Sequence, residues 1–245
     1  MDDLDFTPYE KMPKTLKKLG LTTENYTQLE KMEWVVTEKI HGANFSFIYQ
    51  NQQLHFAKRK ALLKWTDDFF GFQTVIQRIE NQIIQLFEVL SNDIKATQYI
   101  IYGELFGGYY PHDKVEQNDE VQAIQTGIYY TPDIHFCAFD IAIINEDNQK
   151  IYLDYSEALD YFEQFQLVHA QPLFKGNFNE VVEFDIQINS IMPSLFNLPQ
   201  IEPNLIEGIV VKPLAHTHLN LPIRPIIKIK NPVFEENEQY HQAEK

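Results

Sequence analysis

The segment VVTEKIHGANFSF places Lys39 between a run of β-branched residues and a His-Gly turn, after which aromatic residues alternate again. A lysine at a sheet edge ordinarily needs no explanation, because long charged side chains cap edges and reach into water. A chemical role demands more: neighbours that keep the amine neutral, a phosphate for it to attack, and ligands for the metal that such a phosphate brings. Burying a charge is costly unless it is paired or used, so polar residues in apolar, strand-like surroundings are the informative ones. Besides Lys39 they are Arg59 in AKRK, Glu104 in YGELFGG, Glu207 with Lys212 in EGIVVKP, and Lys228 with Lys230 in IKIKN. Residues two apart in a strand point the same way, so Lys228 and Lys230 project from one face and together suit a polyphosphate.

The elements that must position these residues are legible in outline. KMPKTLKKLG reads as a short helix stopped by Gly20, and MEWVVTE, FSFIY and LHFAKR read as strands, the last two around a polar turn from Gln50 to Gln53. Between Thr66 and Leu90, the residues Phe72, Val75, Ile76, Ile79, Ile83, Phe87 and Leu90 recur at spacings of three and four, which predicts an amphipathic helix with a core-facing stripe. QYIIYGELF and IHFCAFDIAII read as buried strands, with NEDN as the hairpin turn before KIYLD. Two helices are expected next, from the capping-box spacing of Asp154 with Glu157 and of Asn177 with Glu180. Pro193, Pro199 and Pro203 punctuate a loop, after which EGIVVKP and PIIKIKN are strand-like again. Hairpins with segregated helices predict an α+β fold on antiparallel sheets rather than a doubly wound parallel one. With no repeat or low-complexity linker, one domain is expected over residues 1–231, followed by a polar tail over 232–245.

Composition narrows the function. The chain of 245 residues carries 20 Lys+Arg against 35 Asp+Glu, a net charge of −15, which argues against a basic surface for non-specific nucleic-acid binding. Any polyanion must therefore meet a local patch. The single cysteine, Cys137, excludes an intrachain disulfide framework and a cysteine-based zinc site and fits a reducing compartment. MDDLDF lacks a basic leader region and no apolar run approaches the length of a membrane span, so a soluble, cytoplasmic protein with no membrane partner is expected.

In order along the chain, EKIHGANF, FAKR, IYGELFGG, FCAFDI, EGIVVKP and IKIKN resemble the collinear motifs of covalent nucleotidyltransferases. Within that superfamily they are most similar to RNA ligases of the RNA ligase 2 type, over about Glu38 to Asn231. A lone K-x-x-G would say little, whereas six segments in order, each on the expected kind of element, say much more. His41, where DNA ligases usually carry aspartate, and the FGG that follows Glu104 tilt the resemblance towards RNA.

The resemblance implies a nucleotidyltransferase (ATP-grasp-like) domain of antiparallel sheets flanked by helices. It implies that Lys39 attacks the α-phosphorus of ATP, forming lysyl-AMP and releasing pyrophosphate. Only a neutral amine attacks, and a free lysine titrates near about 10.4, so Lys228 and Lys230 are expected to depress that value and to hold the α-phosphate. By the same resemblance Glu104 holds the ribose hydroxyls, Phe139 stacks on adenine, and Glu207 binds Mg²⁺ or Mn²⁺. Glu38 and Asn44 flank the nucleophile and by the resemblance touch the nucleotide or hydrated metal, Ile40 is likewise implied in nucleotide binding, and a backbone-capping role for Asn44 is nearly as well supported. Arg59, whose forked guanidinium suits a 5′-phosphate, is implied for the steps after self-adenylylation. Lys58 and Lys60 read as solvated edge charges, His41 as a shaper of its turn, Cys137 as a small buried hydrophobe, and HTH at 216–218 as a polar loop.

The expected function is therefore ATP-dependent joining of RNA 3′-hydroxyl and 5′-phosphate ends through lysyl-AMP and RNA-adenylate, at nicks in duplex RNA. Two alternatives stay open: a non-catalytic nucleotide- or RNA-end-binding module, and a ligase of DNA or hybrid nicks. Relatives of this type commonly continue into a C-terminal domain that helps to bind RNA, whereas fifteen residues follow Lys230 here. Either the chain captures RNA unaided, or a separate RNA-binding partner serves it, or the sequence belongs to a longer one.

Overall fold

The computed structural model describes Leu4, residues 6–219 and residues 221–236. A 3-10 helix, Leu16–Leu19, ends at Gly20, whose φ of 65° gives the left-handed cap expected there. There follow α1 (Thr23–Leu29), β1 (Trp34–Glu38), β2 (Ala43–Gln50), β3 (Gln53–Lys58), β4 (Ala61–Leu63), α2 (Phe72–Asp93), β5 (Gln98–Gly107), β6 (Ile134–Ile144) and β7 (Lys150–Tyr152). The remainder is α3 (Tyr155–Gln164), β8 (Pro172–Gly176), α4 (Phe178–Val182), α5 (Met192–Leu195), β9 (Gly208–Pro213), β10 (Ile227–Lys230) and α6 (Pro232–Glu236).

Two antiparallel sheets carry the molecule, one ordered β10-β9-β1-β8 and the other β4-β3-β2-β5-β6-β7. The α+β expectation holds. Alternation along β2 sends Phe45, Phe47 and Tyr49 to one face of the six-stranded sheet, where they meet the α2 stripe of Phe72, Val75, Ile76, Ile83, Phe87 and Leu90 in one core. The outer face of the four-stranded sheet buries Trp34, Val36, Ile209, Val211 and Ile227 against Leu29 and Val181. The other face of each sheet carries polar side chains, on the six-stranded one beside a second apolar cluster of Ile48, Ile100, Tyr102 and Ala142. Asn44, Glu104 and Asp140 project from one, Lys212, Lys228 and Lys230 from the other, and the contact of Lys212 Nζ with Asp140 Oδ1, 2.8 Å, ties the faces together.

Several expectations shift. The β2–β3 turn at Asn51 and Gln52 has both φ values positive, 52° and 60°, as a two-residue hairpin of this twist requires. The long helix starts at Phe72 rather than Thr66, because residues 64–71 form turns held by the Gln73 side chain on the carbonyls of Trp65 and Asp67, and Ile79 of its stripe is only half-buried. The Asn177–Glu180 capping box forms as expected. The Asp154–Glu157 one does not: the Asp154 carboxylate instead accepts from His216 N, Thr217 N and Thr217 Oγ1 and so fastens the HTH loop from afar. Unforeseen were α1, with its Thr22–Asn25 capping box, and the strands β4 and β8. The tail expected from residue 232 is not uniformly polar. It opens as α6 with Phe234 3% exposed, and residues 237–245 lie outside those described.

Candidate active site

Lys39 leaves the end of β1, and its backbone stays paired, Lys39 N donating to Gly208 O at 2.9 Å. The glycine of K-x-x-G has a steric reason: a Cβ on Gly42 would lie 2.0 Å from Leu105 O and 2.8 Å from Glu104 Cγ. The turn must therefore press against β5, and this brings Lys39 towards Glu104. Gly208 plays the matching part on β9, where a Cβ would meet Ile229 O of β10 at 2.2 Å. No side chain fits between these strands, so Glu207 and the two β10 lysines converge.

Glu207 is the hub. Its Oε2 is paired with Lys39 Nζ and lies 3.3 Å from His41 Nδ1, while Oε1 lies 3.0 Å from Lys230 Nζ. Burial alone would push this carboxyl up, but Lys39 and His41 outweigh burial and hold it well below the usual carboxylate range. Lys228 lies in the same field: burial pulls its ammonium down, the charges of Lys39, Lys230 and Arg59 add to that, and Glu207 opposes them. His41 thus does more than shape its turn, because it shares a carboxylate oxygen with Lys39.

Glu104 and Asn44 face this cluster as register partners on β5 and β2. Burial pushes the Glu104 carboxyl up to about 7, Glu207 adds to the rise, and Lys39, Arg59 and an Asn44 hydrogen bond oppose it. Arg59 stands in the exposed β3–β4 turn, near enough for its charge to bear on both Glu104 and Lys228. Glu38, 3% exposed, is pushed by burial up to about 7 against hydrogen bonds from Ser190 and from Ile191 N, the latter 3.2 Å long. Ile40 packs with Phe106, Tyr130, Cys137 and Met192 in a small core behind the site, and the partly buried Phe139 borders it. Three buried polar atoms here have no partner among the described residues, namely Glu38 Oε1, His41 Nε2 and Asn44 Oδ1. Two are acceptors of the kind that a nucleotide's hydroxyl or amino groups would satisfy.

The structure thus gathers Lys39, His41, Glu207 and Lys230 in direct contact, sets Lys228, Glu104, Asn44 and Arg59 around them, and places Ile40 and Phe139 on the flanking walls. Lys58 and Lys60 are exposed, as expected of edge charges, with Lys58 Nζ 5.7 Å from the Phe69 ring centroid. Cys137 is fully buried. The HTH loop is polar and tied to Asp154, and no group of three or more His, Cys, Asp or Glu able to hold a metal occurs among the described residues.

Sequence reasoning singled out Lys212 but not the cluster that it joins where the two sheets meet. Asp140 takes Lys212 Nζ at 2.8 Å, Tyr9 Oη at 2.6 Å and Arg224 through both oxygens, and the Phe139 carbonyl accepts a second bond from Lys212. Burial raises the Asp140 carboxyl, but Arg224 and Lys212 hold it far below the usual range, and burial brings Lys212 down to about 8. The signal was present in CAFDIAII, where one carboxylate interrupts an apolar strand. Its partners, remote in sequence, were not.

With fold and site described, the chain's relationships are plain: it belongs to the RNA ligase family, whose profile matches residues 32–230. It is 32% identical over 231 residues to RNA-editing ligase 2, mitochondrial, of Trypanosoma brucei brucei, covering 83% of this chain and 55% of that protein. RNA-editing ligase 1, mitochondrial, of the same organism is 28% identical over 246 residues, covering 86% of this chain and 51% of that protein. The chain therefore spans about half the length of these relatives. Among solved structures it resembles the Naegleria gruberi RNA ligase with PPi, with a TM-score of 0.61 and 16% identity over 94% of this chain and 57% of that one. A lysine-to-alanine variant of that ligase, with ATP and Mn, gives a TM-score of 0.58 at 16% identity over 92% and 56% of the two chains. These matches agree with the expected nucleotidyltransferase architecture of antiparallel sheets flanked by helices.

Proposed function

We propose that the protein is an ATP-dependent RNA ligase that works through a lysyl-AMP intermediate, and that one adenylyltransferase domain over residues 1–231 performs the chemistry. The observation that carries this reading is the contact of Lys39 Nζ with a buried carboxylate, Glu207, that is also held by Lys230 and His41. A surface lysine has no use for such company. In the first step Lys39 Nζ attacks the α-phosphorus of ATP; a P–N bond forms, the bond to the bridging oxygen breaks, and pyrophosphate leaves. The amine must shed its proton first; Glu207, kept ionised by Lys39 and His41, orients the amine, while the neighbouring charges of Lys228 and Lys230 oppose its protonation. Lys228 and Lys230, on one face of β10, meet the charge that builds on the α-phosphate. Glu104 and Asn44 supply acceptors for the ribose hydroxyls, Glu38 and Ile40 flank the base, and Phe139 offers it a ring to stack on.

A divalent ion fits if it rests mostly on phosphate oxygens and water, with Glu207 as its protein carboxylate, because the described residues hold no fuller ligand set. Mg²⁺ or Mn²⁺ bound there supplies charge neutralisation at the phosphates. In the later steps an RNA 5′-phosphate, guided by Arg59, takes AMP from Lys39, and a 3′-hydroxyl then displaces the AMP. Nicks in duplex RNA are the substrate we favour, with a separate partner contributing RNA binding where this chain's own surface is too small. No helix among the described residues is long and apolar enough to cross a membrane. A cytoplasmic setting is our reading of the one buried thiol, while the trypanosome relatives are named as mitochondrial.

The test is incubation with labelled ATP and Mg²⁺, followed by nicked duplexes of RNA, DNA and mixed strands. Label that is covalent, acid-labile and alkali-stable, and that chases into sealed RNA, is expected. Absence of covalent label would leave a binding module, and sealing confined to DNA would reassign the substrate.

A further inference from the structure

The chain does not leave the site when β10 ends. Asn231, fully buried, donates its backbone N–H to Glu207 O at 2.8 Å, and its side-chain Nδ2 reaches Ile206 O at 3.4 Å. The peptide on each side of the Glu207 backbone is thus held by one asparagine. The same side chain reaches Ile186 O with Nδ2 and accepts from Gln187 Nε2 and Val233 N with Oδ1, so it is a fixed point and not a swinging one. Pro232 then starts α6 with Asn231 in the capping position, and Phe234 N donates to Asn231 O at 2.9 Å. This tight turn drives the Phe234 ring into the core that contains Ile40, Tyr130, Cys137 and Met192. There it meets the His41 ring edge-on, centroids 5.8 Å apart at 68°. His41 Nδ1 is the group 3.3 Å from Glu207 Oε2.

We infer that Asn231 and Phe234 are positioning residues for self-adenylylation: Asn231 fixes the backbone of Glu207, and Phe234 fixes the imidazole that steers its carboxylate. The two act on opposite ends of one residue, and that residue holds Lys39. The inference deepens the proposed function and rests on it. A reaction that needs Lys39 Nζ in line with a phosphorus centre is sensitive to such support, since a displacement of about 1 Å costs on the order of a hundredfold in rate. Asn231 bonds to Ile186, Gln187, Ile206, Glu207 and Val233, and Phe234 packs with Ile40 and His41, so their loss should act on Glu207 and leave nucleotide affinity largely intact.

Single-turnover self-adenylylation of the full chain is measured against ATP concentration for the parent, Phe234→Ala, Phe234→Leu and Asn231→Asp, with Phe87→Leu beneath α2 as the packing control. Phe234→Ala and Asn231→Asp are expected to slow the maximal rate by about tenfold to a hundredfold while half-saturation by ATP stays within about twofold. Phe234→Leu should recover most of the rate, and Phe87→Leu should lower the melting temperature without slowing the step. A parallel measurement follows the ¹⁵N shifts of the His41 imidazole at fixed pH, which Phe234→Ala should move and Phe87→Leu should not. A maximal rate within about twofold of the parent in both site variants, or a loss that only tracks melting temperature as in the control, would overturn the inference. Should the parent form no lysyl-AMP, the ligase reading fails by itself, and unmoved His41 shifts would overturn the positioning role independently.

Discussion

Changing Glu207 to glutamine keeps the shape of the side chain and removes its charge. The carboxylate is 2% exposed and accepts from Lys39 and His41 on one oxygen and Lys230 on the other. An amide offers one oxygen only, so its NH₂ must be turned against one of the two lysines. Removing one partner of a buried ion pair costs about 3–5 kcal/mol. Lys39 and Lys230 are 19% and 17% exposed, so water recovers part of that, and about 2–3 kcal/mol is the more fitting figure. If that loss falls on the placement of Lys39, the first step slows by roughly 30- to 150-fold, at about 1.4 kcal/mol per factor of ten. The assay is the initial rate of transfer of labelled AMP to protein in Mg²⁺, with ATP affinity and melting temperature measured on the same preparations. A Glu207→Gln protein that labels within about threefold of the parent would refute the placement of Glu207 as the group that holds Lys39 in position.

Lys39→Ala and Lys39→Arg should both fail to label, the second because a guanidinium stays protonated, and Lys39→Ala should stay folded because Lys230 and His41 still face Glu207; persistent label in either would remove the nucleophile assignment. Arg59→Ala should leave lysyl-AMP formation within about threefold of the parent yet cut use of a 5′-phosphorylated strand by at least about tenfold, and an equal loss in both steps would move Arg59 into the nucleotide pocket. Glu38, raised to about 7 by burial, binds a proton in the folded state between about pH 4.5 and 7 that the unfolded chain has released. Stability should therefore fall across that window by on the order of 3 kcal/mol relative to Glu38→Gln, and a pH-independent difference in urea midpoints would count against it. Asp140→Asn strands Lys212 and Arg224 and should cost about 3–5 kcal/mol at pH 7. Because the folded carboxyl is depressed, that contribution is full above about pH 4 and lost as pH falls, so parent and variant should converge in acid.

Much of the site is legible in sequence because each motif is a local pattern with a local cause. Lys39, Glu207 and the Lys228/Lys230 pair stand out as charges inside strand-like apolar runs, and the two-residue period of a strand is enough to put both β10 lysines on one face. The α2 stripe and the Asn177 capping box follow from helix geometry in the same way. Pairings between distant segments are not legible, since nothing near Asp154 indicates that it will hold His216 and Thr217 instead of capping α3. Likewise the isolated Asp140 points to a partner without saying which, and only the packing of the two sheets supplies Lys212, Arg224 and Tyr9. His41 and Phe234 make the division clearest. Residue type suggests a turn-former and part of a polar tail, whereas the tertiary fold brings these two distant parts of the chain together and seats both against the support of one carboxylate. Hydrophobic periodicity and turn chemistry are properties of neighbouring residues, so the sequence carries them; which buried charge meets which is decided by how the sheets face each other.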